Sequence, residues 1–395
     1  MSSSTKTSQT GTNTRLAHSG FDPKSFHGFI NPPVVHASTV LFPDAATIES
    51  RNQKYTYGTH GTPTTDALAA AVDALEGSAG TLILPSGLAA VTLTFLAVLS
   101  AGDHVLVVDS VYGPTRRFCD TLLGRYGIKV TYFDPLIGAD IERLMRPNTK
   151  LVFTESPGSN TFEIQDIPAI AKVAHAHAAL VAIDNTWATP LFFKPLDHGV
   201  DISIHAATKY FAGHSDVLMG TVSASKAAHP ALLATYTALG FCASPDDSYT
   251  TLRGLRTLGV RLERHQHSAL TIAQALEGRP GVAGVLHPAL ESFPGHQLWK
   301  RDFEGASGLF SIVLDVADET RRRAKAHAFL DALEIFGLGY SWGGYDSLAV
   351  HAHLSDRTVA LAPAQGPVIR LQIGLEDVAD LMADIERGLS AAQSA

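Results

Sequence analysis

The stretch LVAIDNTWATPLFFKPLDHGVDISIHAATKY, residues 180–210, decides how this chain folds. Its two short apolar runs, LVAID and ISIHA, read as strands, and polar residues follow each. Asp184 closes the first run, where a carboxylate has to be paired or exposed rather than simply buried. Lys209 lies 25 positions further on (209 minus 184), one strand–helix–strand step later, so the acid and the amine can flank one ligand at neighbouring strand ends. A lysine past an apolar strand is, on its own, an ordinary surface residue with its stem along the fold and its head in water. Its meaning therefore rests on the other strand ends.

Working outward, the same alternation runs from Gly61 to Val222. Helical windows such as TTDALAAAVDALEG (64–77) alternate with the apolar runs HVLVVD (104–109) and LVFTES (151–156). This rhythm predicts an α/β fold with a mostly parallel sheet covered on both faces and ligands beyond the carboxyl ends of its strands. After about Arg256, RLERHQHSALTIAQALEG leads to GLFSIVLDV and VIRLQIGLEDVADLMADIERGLSAA, a smaller α+β unit. The expected division is a tail and extended arm over residues 1–60, a large domain over 61–255 and a C-terminal domain over 256–395. The first residues, MSSSTKTSQTGTNT, read as a disordered tail with no apolar core of a signal peptide.

With 395 residues, 45% hydrophobic and 17% charged, the chain can bury a large core. A formal charge of -8 argues against nucleic acid as a partner. AAVTLTFLAVLSAG (89–102) is interrupted by polar residues and falls short of the roughly 20 apolar residues of a membrane span. The two cysteines, Cys119 and Cys242, make no disulfide framework or metal spacing, which suits a reducing cytoplasm.

TLILPSGLAAVTLTFL (81–96) is a strand, a turn and a helix, an arrangement that points free backbone N–H groups at an anion, although a structural turn accounts for it too. LVVDSVYGPT offers Tyr112 where a flat ring can be stacked. In LVFTESPGSN, Glu155, Ser156 and Asn160 are explained as well by a cap or turn as by a ligand. A phosphate cradle, a stacking ring, an acid and a lysine together match pyridoxal 5'-phosphate, with Lys209 as its Schiff-base partner.

AATKYFAGHSD, AIDNTW, TYGTHGTPT, LRGLRTLGVRL and YSWGGYDSL together resemble the Cys/Met-metabolism family of pyridoxal-phosphate enzymes, from about Thr14 to Leu389. The resemblance implies the fold-type I transferase architecture and a homotetramer of closely paired dimers. It implies Lys209 as the cofactor-bearing amine and proton carrier, Asp184 on the pyridine nitrogen and Tyr112 stacked on the ring. Gly87, Leu88 and Thr208 are implied at the phosphate, and Arg370 on the substrate α-carboxylate with Ser341 and Trp342 beside it. Tyr57 is implied to reach a neighbouring subunit's site. Many relatives carry an arginine two places after that tyrosine, on the phosphate; here the position is Thr59, followed by His60, a loss of charge and donors.

The activity implied is β-elimination from a sulfur amino acid, L-cystathionine, in methionine biosynthesis, favoured over γ-chemistry by the tryptophan at 342. γ-Synthase or γ-lyase chemistry, cystine cleavage and amino-acid racemisation share the scaffold, as does a non-catalytic binding role, which the presence of Lys209, Asp184, Tyr112 and Arg370 disfavours. To act as a base near neutrality Lys209 needs a lowered pKa, with burial and the two tyrosines expected to contribute. His175 and His177, and His351 and His353, lack the face or third ligand of a metal site. Arg253, Arg256, Arg261 and Arg264 read as an interface or a solvated helical face.

Overall fold

The structure, a computed structural model, describes residues 10–363 and 365–395. Seven strands form the larger sheet: β1 (Gly80–Leu84), β2 (His104–Val108), β3 (Lys129–Phe133), β4 (Thr149–Glu155), β5 (Leu180–Asp184), β6 (Ile202–His205) and β7 (Gly220–Ala224). Their order is β1-β7-β6-β5-β4-β2-β3. The pairs from β6 through β5, β4 and β2 to β3 are parallel, and β7 alone runs against both neighbours. Because β7 opposes both β1 and β6, β1 points the same way as β6, and the carboxyl ends of six strands open on one edge. β2 and β6 are buried along their whole length, which is why they read as continuous apolar runs rather than alternating ones.

The smaller sheet comprises β8 (Val282–Leu286), β9 (Leu309–Leu314), β10 (Gly337–Leu338), β11 (Leu348–Ala352) and β12 (Val368–Gln372), in the order β10-β11-β12-β9-β8. The helix Leu258–Leu276 packs on it, burying Leu262, Ala269, Ile272 and Leu276 at a helical spacing. The expected boundary at 255/256 falls at the end of the helix Pro245–Arg256, just before that long helix.

Two readings are corrected. Residues 1–9 of the expected tail lie outside the described residues, but the tail does not extend to Thr14: the helix Thr12–His18 begins there and buries Leu16. Arg261 is not on a solvated face. It is 6% exposed, and its guanidinium donates to the carbonyls of Tyr210 at 2.8 Å and Gly254 at 2.8 Å. Arg256 likewise reaches the Leu16 carbonyl at 2.6 Å. Of the four arginines, Arg256 and Arg261 are thus turned onto backbone carbonyls, that of Gly254 at the end of the helix Pro245–Arg256 among them, Arg264 reaches the Glu376 carbonyl at 3.0 Å, and Arg253 is exposed. Among the described residues no helix is long and apolar enough to cross a membrane, and no three acidic, histidine or cysteine side chains gather as a metal site.

Candidate active site

Parallel pairing puts Glu155 of β4 beside Asp184 of β5, and Asp184 beside Ile204 of β6, so two carboxyl groups share one edge of the sheet. Two residues on, Thr186 donates its amide at 3.0 Å and its hydroxyl at 2.5 Å to Asp184 Oδ1, and the same hydroxyl accepts the Ala206 amide at 2.9 Å. This turn ties the end of β5 to the segment that carries Lys209. The Glu155 carboxylate accepts the Tyr112 amide at 2.7 Å and so fixes the start of the helix Gly113–Phe118.

At the end of β1, Ser86 caps the helix Gly87–Val98 by accepting the Ala89 amide at 3.1 Å. The amides of Gly87 and Leu88 belong to the first turn, which has no acceptors within the helix. A Cβ at Gly87 would stand 2.5 Å from that of Ala206, so only glycine lets this helix end approach the lysine segment. From the smaller sheet, Arg370 of β12 donates to Asn160 Oδ1 at 3.4 Å and to the Ser341 carbonyl at 3.3 Å. Ser341, with φ of 81°, accepts from Lys209 Nζ at 2.5 Å, and the Trp342 ring centroid lies 5.3 Å from that amine.

Burial, and then the Arg370 guanidinium, push the Lys209 amine down to about 8, against the opposing pull of Asp184. Burial raises the Asp184 carboxyl, with the Thr186 hydrogen bonds acting the other way. Burial and then the Asp184 charge hold Glu155 well above the usual carboxylate range. The Tyr112 phenol is raised by burial, Asp184 and Glu155, so it is protonated at neutral pH. Burial lowers Lys209 as expected, while the second contribution comes from Arg370 rather than from the tyrosines.

One pocket is lined by Lys209, Thr208, Asp184, Tyr112, Gly87, Leu88, Trp342 and Arg370, with Ser341 bound to the lysine just behind. Tyr57 and Thr59 are not brought there: within the chain they line a separate cleft with Val35, Tyr236 and Cys242. His60 is bonded to Thr56 at 2.8 Å. The Thr208 hydroxyl is engaged with the Met219 backbone at 2.9 and 3.1 Å. Sequence reasoning gave no site role to Glu155 or Asn160 and passed over Ser86 and Thr186, all of which line the pocket. The spacing of Asp184 and Thr186, an acceptor two residues before a hydroxyl, was a legible turn signal.

This donor set fits pyridoxal 5'-phosphate: free amides at a helix start for the phosphate, a carboxylate at a strand end for the ring nitrogen, an aromatic neighbour, and an amine that no carboxylate neutralises by direct contact. The match to the family model described as Cys/Met metabolism PLP-dependent enzyme spans residues 13–390. A Rhizobium johnstonii protein provisionally named a cystathionine beta-lyase is 70% identical over 97% of this chain and 97% of its own length. The cystathionine beta-lyase of Escherichia coli is 43% identical over 95% of this chain and 98% of its own. The crystal structure of cystathionine gamma synthase from Xanthomonas oryzae pv. oryzae, in complex with aminoacrylate and cysteine, superposes with a TM-score of 0.89. It is 34% identical and covers 98% of this chain and 99% of that one. The architecture is that of the fold-type I enzymes, and the chain belongs to the family of Cys/Met metabolism PLP-dependent enzymes, with pyridoxal 5'-phosphate as its cofactor.

Proposed function

We propose that this enzyme is a carbon–sulfur lyase that cleaves L-cystathionine by β-elimination into homocysteine, pyruvate and ammonia, a step of methionine biosynthesis. The observation that carries the reading is the single pocket in which Lys209, Asp184, Tyr112 and Arg370 meet, with Trp342 beside the amine. Relatives bearing the β-lyase name at 70% and 43% identity support it.

Bound in this pocket, pyridoxal phosphate supplies an aldehyde that condenses with an amine and a ring that draws electrons away from Cα. Gly87, Leu88 and Thr208 would hold the phosphate, Tyr112 would lie against the ring, and the Asp184 carboxylate would keep a proton on the ring nitrogen. Arg370 grips the substrate α-carboxylate beside Ser341, which orients Cα toward Lys209. Lys209, neutral once pH exceeds about 8, takes the Cα proton onto Nζ. The C–S bond then breaks, a proton from Lys209 or the Tyr112 phenol neutralises the departing thiolate, and solvent water hydrolyses the released three-carbon enamine to pyruvate and ammonia.

γ-Elimination or replacement is the second reading, favoured by the close fit to a γ-synthase structure. Product analysis separates the readings. Incubated with L-cystathionine, the holoenzyme is expected to release pyruvate and homocysteine together. 2-Oxobutyrate with cysteine would move the chemistry to the γ-carbon, and D-amino acid from an L-amino acid would replace elimination with racemisation.

The enzyme is further read as a cytoplasmic homotetramer of paired dimers, with Tyr57 serving a neighbouring site. Support for the association comes from the arm, where Phe29, Ile30, Leu41 and Ile48 are exposed. Thr59, or His60, is read as the weaker substitute for an arginine at the phosphate.

A further inference from the structure

The connection that leaves β11 does not stay with the smaller sheet. Asp109, the first residue after β2, has a fully buried carboxylate. Its Oδ2 accepts the amides of Val359 and Ala360, each at 2.6 Å, and that of Thr358 at 2.9 Å. Its Oδ1 accepts the Thr358 hydroxyl at 3.0 Å and pairs with Arg116, whose side chain is 5% exposed. Burial pushes this carboxyl up, but the Val359 and Ala360 amides and the Arg116 guanidinium outweigh it and hold it charged. Residues 358–360 are thus fastened to the end of a strand in the other sheet.

Arg357, immediately before them, is equally enclosed, with a side chain 5% exposed. It pairs with Glu163 at 3.0 Å and donates to the Ser159 carbonyl at 2.9 Å and the Thr161 hydroxyl at 2.5 Å. These partners belong to the wall of the pocket, where Gly158, Ser159 and Asn160 face the cofactor site. The wall is backbone that needs holding: Asn160 and Phe162 have φ of 66° and 62°, a region costly for residues with a side chain. Ser311 of β9 secures the Asn160 carbonyl at 2.8 Å. The Asn160 side chain supports Arg370 from one flank, and the Ser341 carbonyl supports it from the other.

We propose that Arg357, Glu163 and Asp109 are positioning residues for recognition of the substrate α-carboxylate. Residues 356–360 brace the wall 158–163, and through Asn160 the brace sets the direction of the Arg370 guanidinium. Lys209 is held separately, by Ser341 Oγ, so loosening the brace weakens carboxylate binding and leaves the amine's own support in place. The inference rests on the reading that Arg370 takes the carboxylate.

The test compares L-alanine with ethylamine, the same amine without the carboxylate, as competitive inhibitors of the holoenzyme. Arg357→Met is expected to raise KM for the amino-acid substrate about tenfold with kcat within about twofold, as loss of binding made equally in the ground and transition states does. The preference for L-alanine over ethylamine falls by a similar factor, and the absorbance of bound cofactor is unchanged. Arg357→Lys, which keeps the pair with Glu163 and loses the planar fork, recovers part of the effect. Should Arg357→Met not fold, Glu163→Gln reads out the same KM and the same preference. An unchanged preference in both variants, or a fall in kcat and cofactor content as KM rises, overturns the brace. Arg370→Met separates the two levels: loss of the preference there but not in the brace variants sinks the brace alone, and its persistence in Arg370→Met sinks the carboxylate reading as well.

Discussion

The pocket at the strand ends and the arm, within residues 15–60, hold their functional side chains in opposite ways. In the pocket, Asp184, Glu155, Lys209 and Arg370 each have named partners within the chain. On the arm, Ile30 is 82% and Leu41 85% exposed, and Tyr57 is 48% exposed, its hydroxyl only 3.3 Å from that of Ser38. The first region is finished by one chain, because a sheet edge can be satisfied by its own turns. The second has apolar surface that one chain leaves in water, at a cost of about 25 cal/mol per Å² until something covers it. The arm's exposed apolar surface is what the proposed association of subunits would cover.

The largest effects should come from the pocket. Lys209→Ala is expected to remove the visible absorbance of the bound cofactor and to lower kcat by a factor on the order of 10³ or more. A coloured Lys209→Ala protein would show that the amine is not the attachment point. Asp184→Asn removes the charge that keeps the ring nitrogen protonated, and kcat should fall by roughly 10²–10⁴ with KM little changed.

The comparison itself breaks or holds on a mixing experiment. Tyr57→Ala and Lys209→Ala proteins, each inactive alone, are dissociated and reassociated together. If Tyr57 completes a neighbour's site, mixed dimers contain one intact site each, and about a quarter of wild-type activity returns. No recovery, or an active monomer by gel filtration, would confine the site to one chain.

A smaller effect is expected at Thr59. Thr59→Arg should tighten cofactor binding by roughly tenfold, through a bidentate charged contact in place of a hydroxyl. An unchanged dissociation constant would mean that position 59 does not meet the phosphate.

The most modest shift is in pH. With the cofactor removed, the Lys209 amine is protonated and unreactive below about 8 and neutral above it. Its reaction with an aldehyde should therefore rise with pH, half-maximal near 8. In Arg370→Met the midpoint should move up, because a neighbouring positive charge has gone. A midpoint that stays at 8 would assign the shift to burial alone.

Much of the site was legible because sheet geometry makes strand ends predictable. An apolar run such as LVAID has to stop where the sheet meets solvent or ligand, so Asp184, Tyr112 and Lys209 could be read off as the residues just beyond. Arg261 was misread because charge alone does not say whether a guanidinium faces water or backbone carbonyls; that depended on where two helices meet. The reading of Glu155 stayed open between a turn and a ligand because its neighbour, Asp184, is 29 residues away (184 minus 155) and only strand pairing brings them together.

By itself, then, the sequence determined the α/β alternation and the family and singled out Lys209 and Asp184 as the candidate pair for the cofactor, since these follow from local periodicity and motifs within short spans. Only the tertiary structure decided which charges are buried and what each one meets: Arg370 lowering the Lys209 amine, Glu155 crowding Asp184, and Arg357 reaching from beyond β11 to the pocket wall. Those contacts join residues up to 198 positions apart, and desolvation, which sets their strength, exists only once the chain has closed around them.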